Sequence, residues 1–286
     1  MLMFSQMEVF QTVSSLQAVL TNLSGSVGFV PTMGSLHQGH LSLIEKALEE
    51  NTHLAISIFV NPTQFEDPTD LEKYPRSLEK DLSMIATIAP KALVFTPAVS
   101  EIYRNKLTAG FYSFNGLDKR MEGNSRQGHF QGVAAVVERL FSIVNPDRAY
   151  FGEKDYQQLA IIRHIVVQKK LSIAIVGCPI VRDKSGLALS SRNARLSEHH
   201  LKQASLLFRS LKQARVLYLD KDASTAQHHV NQLFSQAQEW TLDYFCICDE
   251  ITLRQIDNKK TENVRGFIAA QVGEIRLIDN LSFSLI

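Results

Sequence analysis

Apolar and polar positions alternate through the first part of the chain in a way that predicts alternating strands and helices. Residues 27–30 and the unbroken apolar run LAISIFV at residues 54–60 are predicted strands, because continuous apolar runs are typical of strands covered on both faces. Between them, Leu41, Ile44 and Leu48 recur at helical spacing. This stretch therefore predicts a β-α-β unit with a right-handed crossover.

The same alternation continues to about residue 180. Predicted helices at residues 77–87, 132–144 and 155–170 precede the strand-like runs ALVF, RAYF and SIAIVG, respectively. Alternating strands and helices of this kind predict an α/β fold with a doubly wound, Rossmann-like parallel sheet.

After about residue 180 the pattern changes. The polar stretch VRDKSGLALSSRNARLS reads as a loop, and predicted helices follow at residues 198–219 and 224–239. Three strand-like runs, DYFCIC, GFIAAQV and EIRLID, close the chain. We therefore expect a first domain over residues 1–180 and a smaller α+β domain over residues 181–286.

The composition is that of an ordinary globular protein, with 45% hydrophobic and 21% charged residues among 286. The net charge of +1 gives no electrostatic footprint for nucleic acid. No apolar run approaches the roughly 20 residues that span a membrane, and no lysine or arginine precedes Lys46, where a signal peptide would need one. Three cysteines are too few for a disulfide framework, and packing is favoured over zinc binding for Cys246 and Cys248. We expect a cytoplasmic protein without nucleic-acid or membrane partners.

Four polar segments follow the predicted strands, and they are the candidates for chemistry. They are PTMGSLHQGH, NPTQF, GEKDYQQ and RDKSGLALSSRNAR. In an open parallel sheet, ligands bind beyond the carboxyl ends of the strands, near a switch in strand order. We therefore expect these loops to meet in one crevice.

His37 and His40 share one face of the opening turn of a predicted helix. Gly39 between them would let a phosphate approach the backbone, and a helix N-terminus favours anions. Phosphate binding, a metal site and incidental surface or core roles all remain open for the pair. A metal site needs a third ligand, and His53 lies at the far end of the same helix.

The other candidates are ambiguous when each is taken alone. Lys154 and Asp155 open a helix, where a solvated charge pair is as reasonable as a phosphate site. The SSRN segment at residues 190–193 could grip phosphate oxygens or be an ordinary polar loop. Gln64 and Gln158 are amides of a kind that is common on surfaces.

Common nucleotide and nucleophile motifs are absent from the sequence. It contains no Walker A pattern, no G-x-G-x-x-G fingerprint and no G-x-S-x-G elbow. An H-x-G-H loop with a lysine and a Ser/Arg loop downstream is another way to bind phosphate. HQGH is similar to the HIGH-type signature of the nucleotidylyltransferase and class I tRNA-synthetase superfamily, and LSSRN resembles its KMSKS-type loop.

A longer resemblance, to the pantoate–β-alanine ligase family, runs in order across residues 27–197. It rests on the strings FVPTMGSLHQGHLSLI, SIFVNPTQFE, YPRSLEKDL, EGNSRQGHFQGV, YFGEKDYQQL and GLALSSRNARLS, and the terminal RLIDN also fits. The alternatives are another nucleotidyl-transferring enzyme of the same superfamily and a non-catalytic nucleotide-binding module. Neither has a reason to carry NPTQF and DYQQL together.

The resemblance implies a ligase that uses ATP and Mg²⁺ to join pantoate to β-alanine. The pantoate carboxylate would attack the α-phosphate of ATP and release pyrophosphate, and the β-alanine amine would then displace AMP from pantoyl adenylate. The first domain would bind ATP and pantoate, and the second would act as a lid. A homodimer formed through the first domain is expected. Mg²⁺ would be held by the ATP phosphates, with no protein ligand assigned.

The resemblance also implies three sets of site residues at the matching positions. The catalytic set is His37, His40, Lys154, Ser190, Ser191 and Arg192. The ATP-binding set is Pro31, Met33, Gly39, His40, Gly152, Lys154, Asp155, Val181, Leu189, Ser190 and Arg192. The pantoate-binding set is Met33, Gln64, Phe65, Arg126, His129 and Gln158.

Two positions depart from the pattern that the resemblance implies. Gln127 stands where the family has proline, and we expect this change to loosen the loop that carries Arg126 and His129. Leu189 replaces methionine, and this swap keeps both volume and apolar character.

Overall fold

The computed structural model describes residues 7–66, 68–103, 111–256 and 262–284. Six parallel strands form the first sheet. They are β1 (Glu8–Phe10), β2 (Val27–Thr32), β3 (His53–Ile58), β4 (Leu93–Phe95), β5 (Arg148–Gly152) and β6 (Ala174–Cys178). Their order across the sheet is β1-β4-β3-β2-β5-β6, so the order reverses between β2 and β5. The predicted doubly wound parallel sheet is confirmed.

The helices that connect these strands cover both faces of the sheet. They are α1 (Val13–Leu20), α2 (Gln38–Glu50), α3 (Pro68–Glu72), α4 (Leu78–Ile88), α5 (Val99–Tyr103), α6 (Glu122–Ser125), α7 (His129–Val144) and α8 (Tyr156–Gln168). The predicted helices at residues 77–87, 132–144 and 155–170 correspond to α4, α7 and α8. Strand β1 was not predicted, since a three-residue strand gives no periodic signal. Helix α1 was not predicted either.

Successive side chains of the central strands point to opposite faces, and each face has its own apolar core. Phe29 of β2 belongs to a cluster that includes Val137 and Phe141 of α7. Its neighbour Val30 belongs to a second cluster with Ile44 of α2 and Ile85 of α4. This double coverage explains why β2 and β3 read as continuous apolar runs in the sequence.

The C-terminal part has a different architecture. Its helices are α9 (Glu198–Gln203), α10 (Leu206–Asp220) and α11 (Ala223–Gln236), and its strands are β7 (Trp240–Asp249), β8 (Val264–Val272) and β9 (Ile275–Ser282). The strands form an antiparallel sheet in the order β7-β8-β9. α10, α11 and the sheet share one apolar core. One helix was predicted over residues 198–219, but the chain turns between α9 and α10, where neither proline nor glycine marks the break.

The chain divides into two compact units, and the division differs from the boundary expected after residue 180. The first unit comprises residues 1–153 and 158–179, and the second comprises residues 154–157 and 180–286. The short segment 154–157 joins the second unit because it packs on the C-terminal sheet. There the Tyr156 ring lies 5.8 Å from the Phe267 ring, and Asn280 donates a hydrogen bond to the Lys154 carbonyl.

Candidate active site

The turn that leads to the two histidines is held by a buried carboxylate. Gly34 and Ser35 both have positive φ, at 79° and 52°, just after β2 ends. Asp81 on α4 is 1% exposed and accepts hydrogen bonds from the backbone N–H groups of Ser35 and Leu36, each at 2.8 Å. The positive φ of Gly34, together with a Cβ position only 3.0 Å from the Asp81 carboxylate, favours glycine there. Asp81 therefore determines the path of the chain into α2.

His37 and His40 form the N-terminal cap of α2. The Gly39 N–H donates to His37 Nδ1 at 3.1 Å, and the His37 N–H donates to His40 Nδ1 at 3.3 Å. The ring centroids are 4.1 Å apart. Because both Nδ1 atoms accept hydrogen bonds, the geometry assigns the proton of each neutral ring to Nε2. The pair thus presents two N–H donors beside the positive end of a helix dipole, which is an arrangement suited to phosphate.

A second turn, after β3, carries the buried amide of Gln64. Asn61 is 1% exposed and caps the short 3-10 helix Pro62–Gln64 by accepting from Thr63. Its Nδ2 donates to Gln64 Oε1 at 3.2 Å, and the Tyr103 hydroxyl donates to Asn61 Oδ1 at 2.6 Å. Gln64 Nε2 in turn contacts Met33 Sδ at 2.8 Å. This contact links the amide turn to the turn before the histidines.

His129, the first residue of α7, supports the Gln64 turn. Its Nδ1 lies 2.8 Å from the Gln64 carbonyl oxygen, and its Nε2 lies 3.1 Å from Arg126 Nη1. Since an arginine can only donate, Nε2 accepts and the proton of a neutral ring sits on Nδ1, where it donates to the carbonyl. His129 is 6% exposed, and both ring nitrogens have protein partners. These contacts tie His129 to the Gln64 turn.

Gln127 makes a backbone hydrogen bond to the residue that follows the amide turn. Its backbone N–H donates to Glu66 Oε2 at 3.1 Å, and proline could not make this bond because it has no N–H. On α7, a Cβ at Gly132 would lie 2.2 Å from the Thr63 carbonyl oxygen. The absence of a side chain at residue 132 therefore allows α7 to lie directly against the amide turn.

The remaining residues predicted in the first unit lie near strand ends, beside the amide turn or on helix α8. Pro31 is in β2, paired with Ser57 of β3. Phe65 packs edge-to-face on Tyr74, with ring centroids 5.6 Å apart. Gly152 ends β5, beside the reversal of strand order, and a Cβ there would meet nothing within 4 Å. Gln158 is half-buried on α8.

In the second unit, Lys154 and Asp155 lie in the turn before α8. The Lys154 ammonium is 3.5 Å from the Asp155 carboxylate, with 19% and 50% of the two side chains exposed. The charge pair, one of the two interpretations that the sequence left open, therefore forms, and it leaves the ammonium partly accessible for phosphate. The carbonyl of Lys154 accepts a hydrogen bond from Asn280 Nδ2 at 2.9 Å.

The Ser/Arg loop is an ordered turn of the second unit. Ser190 caps the 3-10 helix Ser191–Arg195 by accepting from the Arg192 N–H at 3.3 Å. The Leu189 N–H donates to the Val181 carbonyl at 3.0 Å, so these two residues are neighbours across a loop. Ser191 and Arg192 thus stand in the first turn of a short helix, and backbone bonds hold the loop that carries them.

All three cysteines are buried and unbridged. As expected for neighbours on one face of β7, Cys246 and Cys248 are in contact, with 3.6 Å between the sulfur atoms. This contact and burial raise the pKa of the Cys246 thiol well above its usual range.

Among the described residues, no group of three or more His, Cys, Asp or Glu is placed to hold a metal ion. His53 lies beyond the far end of α2, where its Nε2 is 2.9 Å from the Ser24 carbonyl. Over the same described ranges, no helix is both long and apolar enough to cross a membrane.

Three buried residues that hold these turns by hydrogen bonds did not stand out in the sequence. Asn61 and Asp81 lie inside strings that we quoted, NPTQF and YPRSLEKDL, but their roles depend on partners in other elements. An asparagine before proline at a strand end is a recognisable cap signal, whereas nothing local marks Asp81. Asn280 lies in the terminal RLIDN, and its link to Lys154 spans 126 positions of the chain.

Two histidines capping a helix after the central strand of a doubly wound sheet define a nucleotide-binding protein of the HIGH-motif class. Comparison with known proteins identifies the family. The profile of the pantoate-beta-alanine ligase family matches residues 8–282. The chain belongs to the pantoate–β-alanine ligase family.

Individual relatives agree with this assignment. A pantothenate synthetase from Flavobacterium psychrophilum is 46% identical over 258 residues, covering 90% of this chain and 92% of that protein. The crystal structure of pantothenate synthetase from Thermus thermophilus is 40% identical, with a TM-score of 0.92 over 98% of this chain and all of that one. A pantoate-beta-alanine ligase from Francisella tularensis, solved in complex with beta-gamma ATP and beta-alanine, is 33% identical, with a TM-score of 0.81 over 97% of this chain and 98% of that one.

Proposed function

We propose that the protein joins pantoate to β-alanine at the expense of ATP, giving pantothenate, AMP and pyrophosphate. The observation that carries this proposal is the contact between Gln64 and Met33, which links the histidine turn to a buried amide turn. This contact places the turn proposed to bind phosphate beside the turn whose buried amide we propose for pantoate. Membership of the family supports the same reaction, and so does the Francisella tularensis relative, which was solved with beta-gamma ATP and beta-alanine.

In the first step, a pantoate carboxylate oxygen attacks the α-phosphorus of ATP. The bond from the α-phosphorus to the bridging oxygen breaks, pyrophosphate leaves, and pantoyl adenylate forms. Negative charge grows on the phosphate oxygens as this happens. His37 and His40, which carry their protons on Nε2, donate hydrogen bonds to these oxygens, and donors aimed at developing charge lower the barrier.

Pantoate is held mainly by neutral amides in this proposal. Gln64 and Gln158 bond its polar groups, while Met33 and Phe65 contact its methyl groups. A neutral amide suits a carboxylate that acts as a nucleophile, because a salt bridge would stabilise its negative charge and lower its nucleophilicity. Arg126 borders the pocket, and His129 acts through the Gln64 backbone to which it is bonded.

The remaining residues bind the nucleotide. Lys154 neutralises phosphate charge, and Ser190, Ser191 and Arg192 hold the β- and γ-phosphates and then the leaving pyrophosphate. Gly152 and Asp155 contact the ribose, and the nucleotide is lined by Pro31, Met33, Gly39, Val181 and Leu189. In the second step, the β-alanine amine attacks the acyl carbon, the carbon–oxygen bond to AMP breaks, and pantothenate forms. No side-chain nucleophile is needed, so positioning and charge stabilisation account for the catalysis.

Mg²⁺ enters this proposal as part of the substrate. The described residues offer no three-ligand metal cluster, and Mg²⁺ commonly binds through substrate phosphates while keeping several waters.

We also propose a homodimer formed through the first domain and a cytoplasmic location. The three unbridged cysteines agree with a reducing compartment.

An omission assay tests the reaction. AMP and pantothenate are measured by chromatography and mass spectrometry after incubation with MgATP, pantoate and β-alanine, and again with each acid left out. We expect pantothenate and stoichiometric AMP only when both acids are present. Steady ATP turnover without either acid, or ATP binding with no turnover, would contradict the proposal and favour another transferase or a binding module.

A further inference from the structure

The segment that carries Lys154 is fastened to the C-terminal sheet by a buried amide. Asn280 on β9 is 2% exposed, and its Nδ2 donates to the Lys154 carbonyl oxygen at 2.9 Å. The Lys154 side chain itself lies near Asp155 and is 19% exposed. The bond from Asn280 thus fixes the backbone from which the lysine side chain extends.

The orientation of this amide is determined by a second buried side chain. Arg265 on β8 is 8% exposed and donates from Nη1 to Asn280 Oδ1 at 2.7 Å. Because arginine has donors only, the oxygen of the amide must face Arg265 and the nitrogen must face the Lys154 carbonyl. Arg265 is itself held by Glu250, through Nε to Oε1 at 3.1 Å, and lies 4.1 Å over the Tyr156 ring.

This network reaches the segment 154–157 at two points, the Lys154 carbonyl and the Tyr156 ring. Lys154 is itself proposed to contact ATP, and Tyr156 is the neighbour of Asp155, which is also proposed to contact ATP. A lysine has four rotatable bonds, and its charge is placed well only if the backbone beneath it is fixed. Elsewhere in the described part of this unit, Gln271 makes a comparable amide bond to the Gly273 carbonyl, but at the surface of the sheet and at a turn.

We propose that Asn280 is a positioning residue that holds Lys154 for phosphate binding. This inference rests on the proposed role of Lys154. It gives a function to the terminal RLIDN string, which the reaction described above does not otherwise use.

The test variant is Asn280→Asp. It keeps the size of the side chain and keeps an acceptor for Arg265, but it replaces the donor to the Lys154 carbonyl with an oxygen. We expect the kcat to fall and the KM for ATP to rise, each by roughly threefold to tenfold, while the KM for pantoate stays within twofold. Asn280→Ala, which removes the donor without adding an oxygen, should show the same pattern. The control is Gln271→Glu, the same amide-to-carboxylate change at an exposed amide that also bonds a carbonyl of this sheet, and it should leave all three constants unchanged.

A double-mutant cycle with Lys154→Ala separates positioning from a general structural effect. If Asn280 acts through Lys154, Asn280→Asp should change the ATP constants little once Lys154 is alanine, because the two effects are not additive. Equal effects in both backgrounds would overturn the inference, as would an unchanged KM for ATP in the folded Asn280 variants. If Lys154→Ala itself left ATP binding and turnover unchanged, the proposed role of Lys154 would fail first, and the inference with it. Thermal unfolding of each variant verifies that the measured chains are folded.

Discussion

Replacing Asp81 with asparagine removes the negative charge that holds the turn before the two histidines. Asp81 accepts two backbone N–H bonds at 2.8 Å, from Ser35 and Leu36, at a site that is 1% exposed. An asparagine oxygen can keep one of these bonds, but its NH₂ group then faces the other N–H. One charge-assisted bond is lost and one buried donor is left unsatisfied, which together cost about 2–4 kcal/mol. We expect the free energy of unfolding to fall by that amount.

Asp81→Asn should also lower the turnover of the protein that remains folded, beyond any loss caused by unfolding. The turn held by Asp81 sets the direction of α2 and of its cap, so we expect the kcat of the folded variant to fall by roughly tenfold to a hundredfold. Urea unfolding followed by circular dichroism gives the stability, and AMP release at a temperature where both proteins are folded gives the kcat.

The control for Asp81→Asn is Asp249→Asn. Asp249 also accepts from two consecutive backbone N–H groups, of Ile251 and Thr252, but in a surface turn of the second unit. We expect its kcat to be unchanged. A folded Asp81→Asn protein with wild-type turnover would refute the argument that this carboxylate organises the histidine turn.

Three further substitutions test the candidate site. His40→Ala should lower the rate of adenylation by roughly 10²–10³ with the fold intact, which is the scale for losing one transition-state donor. The control His53→Ala, outside the site, should leave the rate unchanged. Near-normal turnover of His40→Ala in stopped assays would contradict the assigned role. Gln64→Ala should raise the KM for pantoate more than that for ATP in initial-rate measurements, and an unchanged pantoate KM would contradict its role. Gly132→Ala places a Cβ 2.2 Å from the Thr63 carbonyl oxygen, so it should lower the melting temperature and raise the pantoate KM by roughly tenfold. The control for melting is Gly152→Ala, which has open space at Cβ. Equal melting temperatures for Gly132→Ala and the unsubstituted protein would count against the close approach.

The sheet could be predicted from the sequence because its strands are buried on both faces. Continuous apolar runs such as residues 54–60 and the helical spacing around Ile44 are local signals, and both survive into the structure as β3 and α2. The position of the site follows from the same signals, since polar loops after parallel strands lie at one edge of the sheet. His37 and Gln64 lie in two of these loops, and their roles in the site stay predictions that rest on the family resemblance.

What could not be predicted depends on partners far apart in the chain. Asp81 is 45 residues or more from the N–H groups that it holds, and no local pattern indicates that pairing. The assignment of residues 154–157 to the second unit likewise depends on Asn280 and Phe267. The partner of the Gln127 N–H is also distant in the chain, since it bonds Glu66, 61 residues away.

The measurement that tests the central claim most directly follows an oxygen atom from pantoate. Pantoate labelled with ¹⁸O in its carboxylate is incubated with MgATP, β-alanine and the protein, and the AMP is analysed by mass spectrometry. If the carboxylate attacks the α-phosphorus and the amine then breaks the acyl carbon–oxygen bond, AMP carries one ¹⁸O and pyrophosphate carries none. Pantothenate formed together with unlabelled AMP would contradict the adenylate route, and with it the task assigned here to His37 and His40.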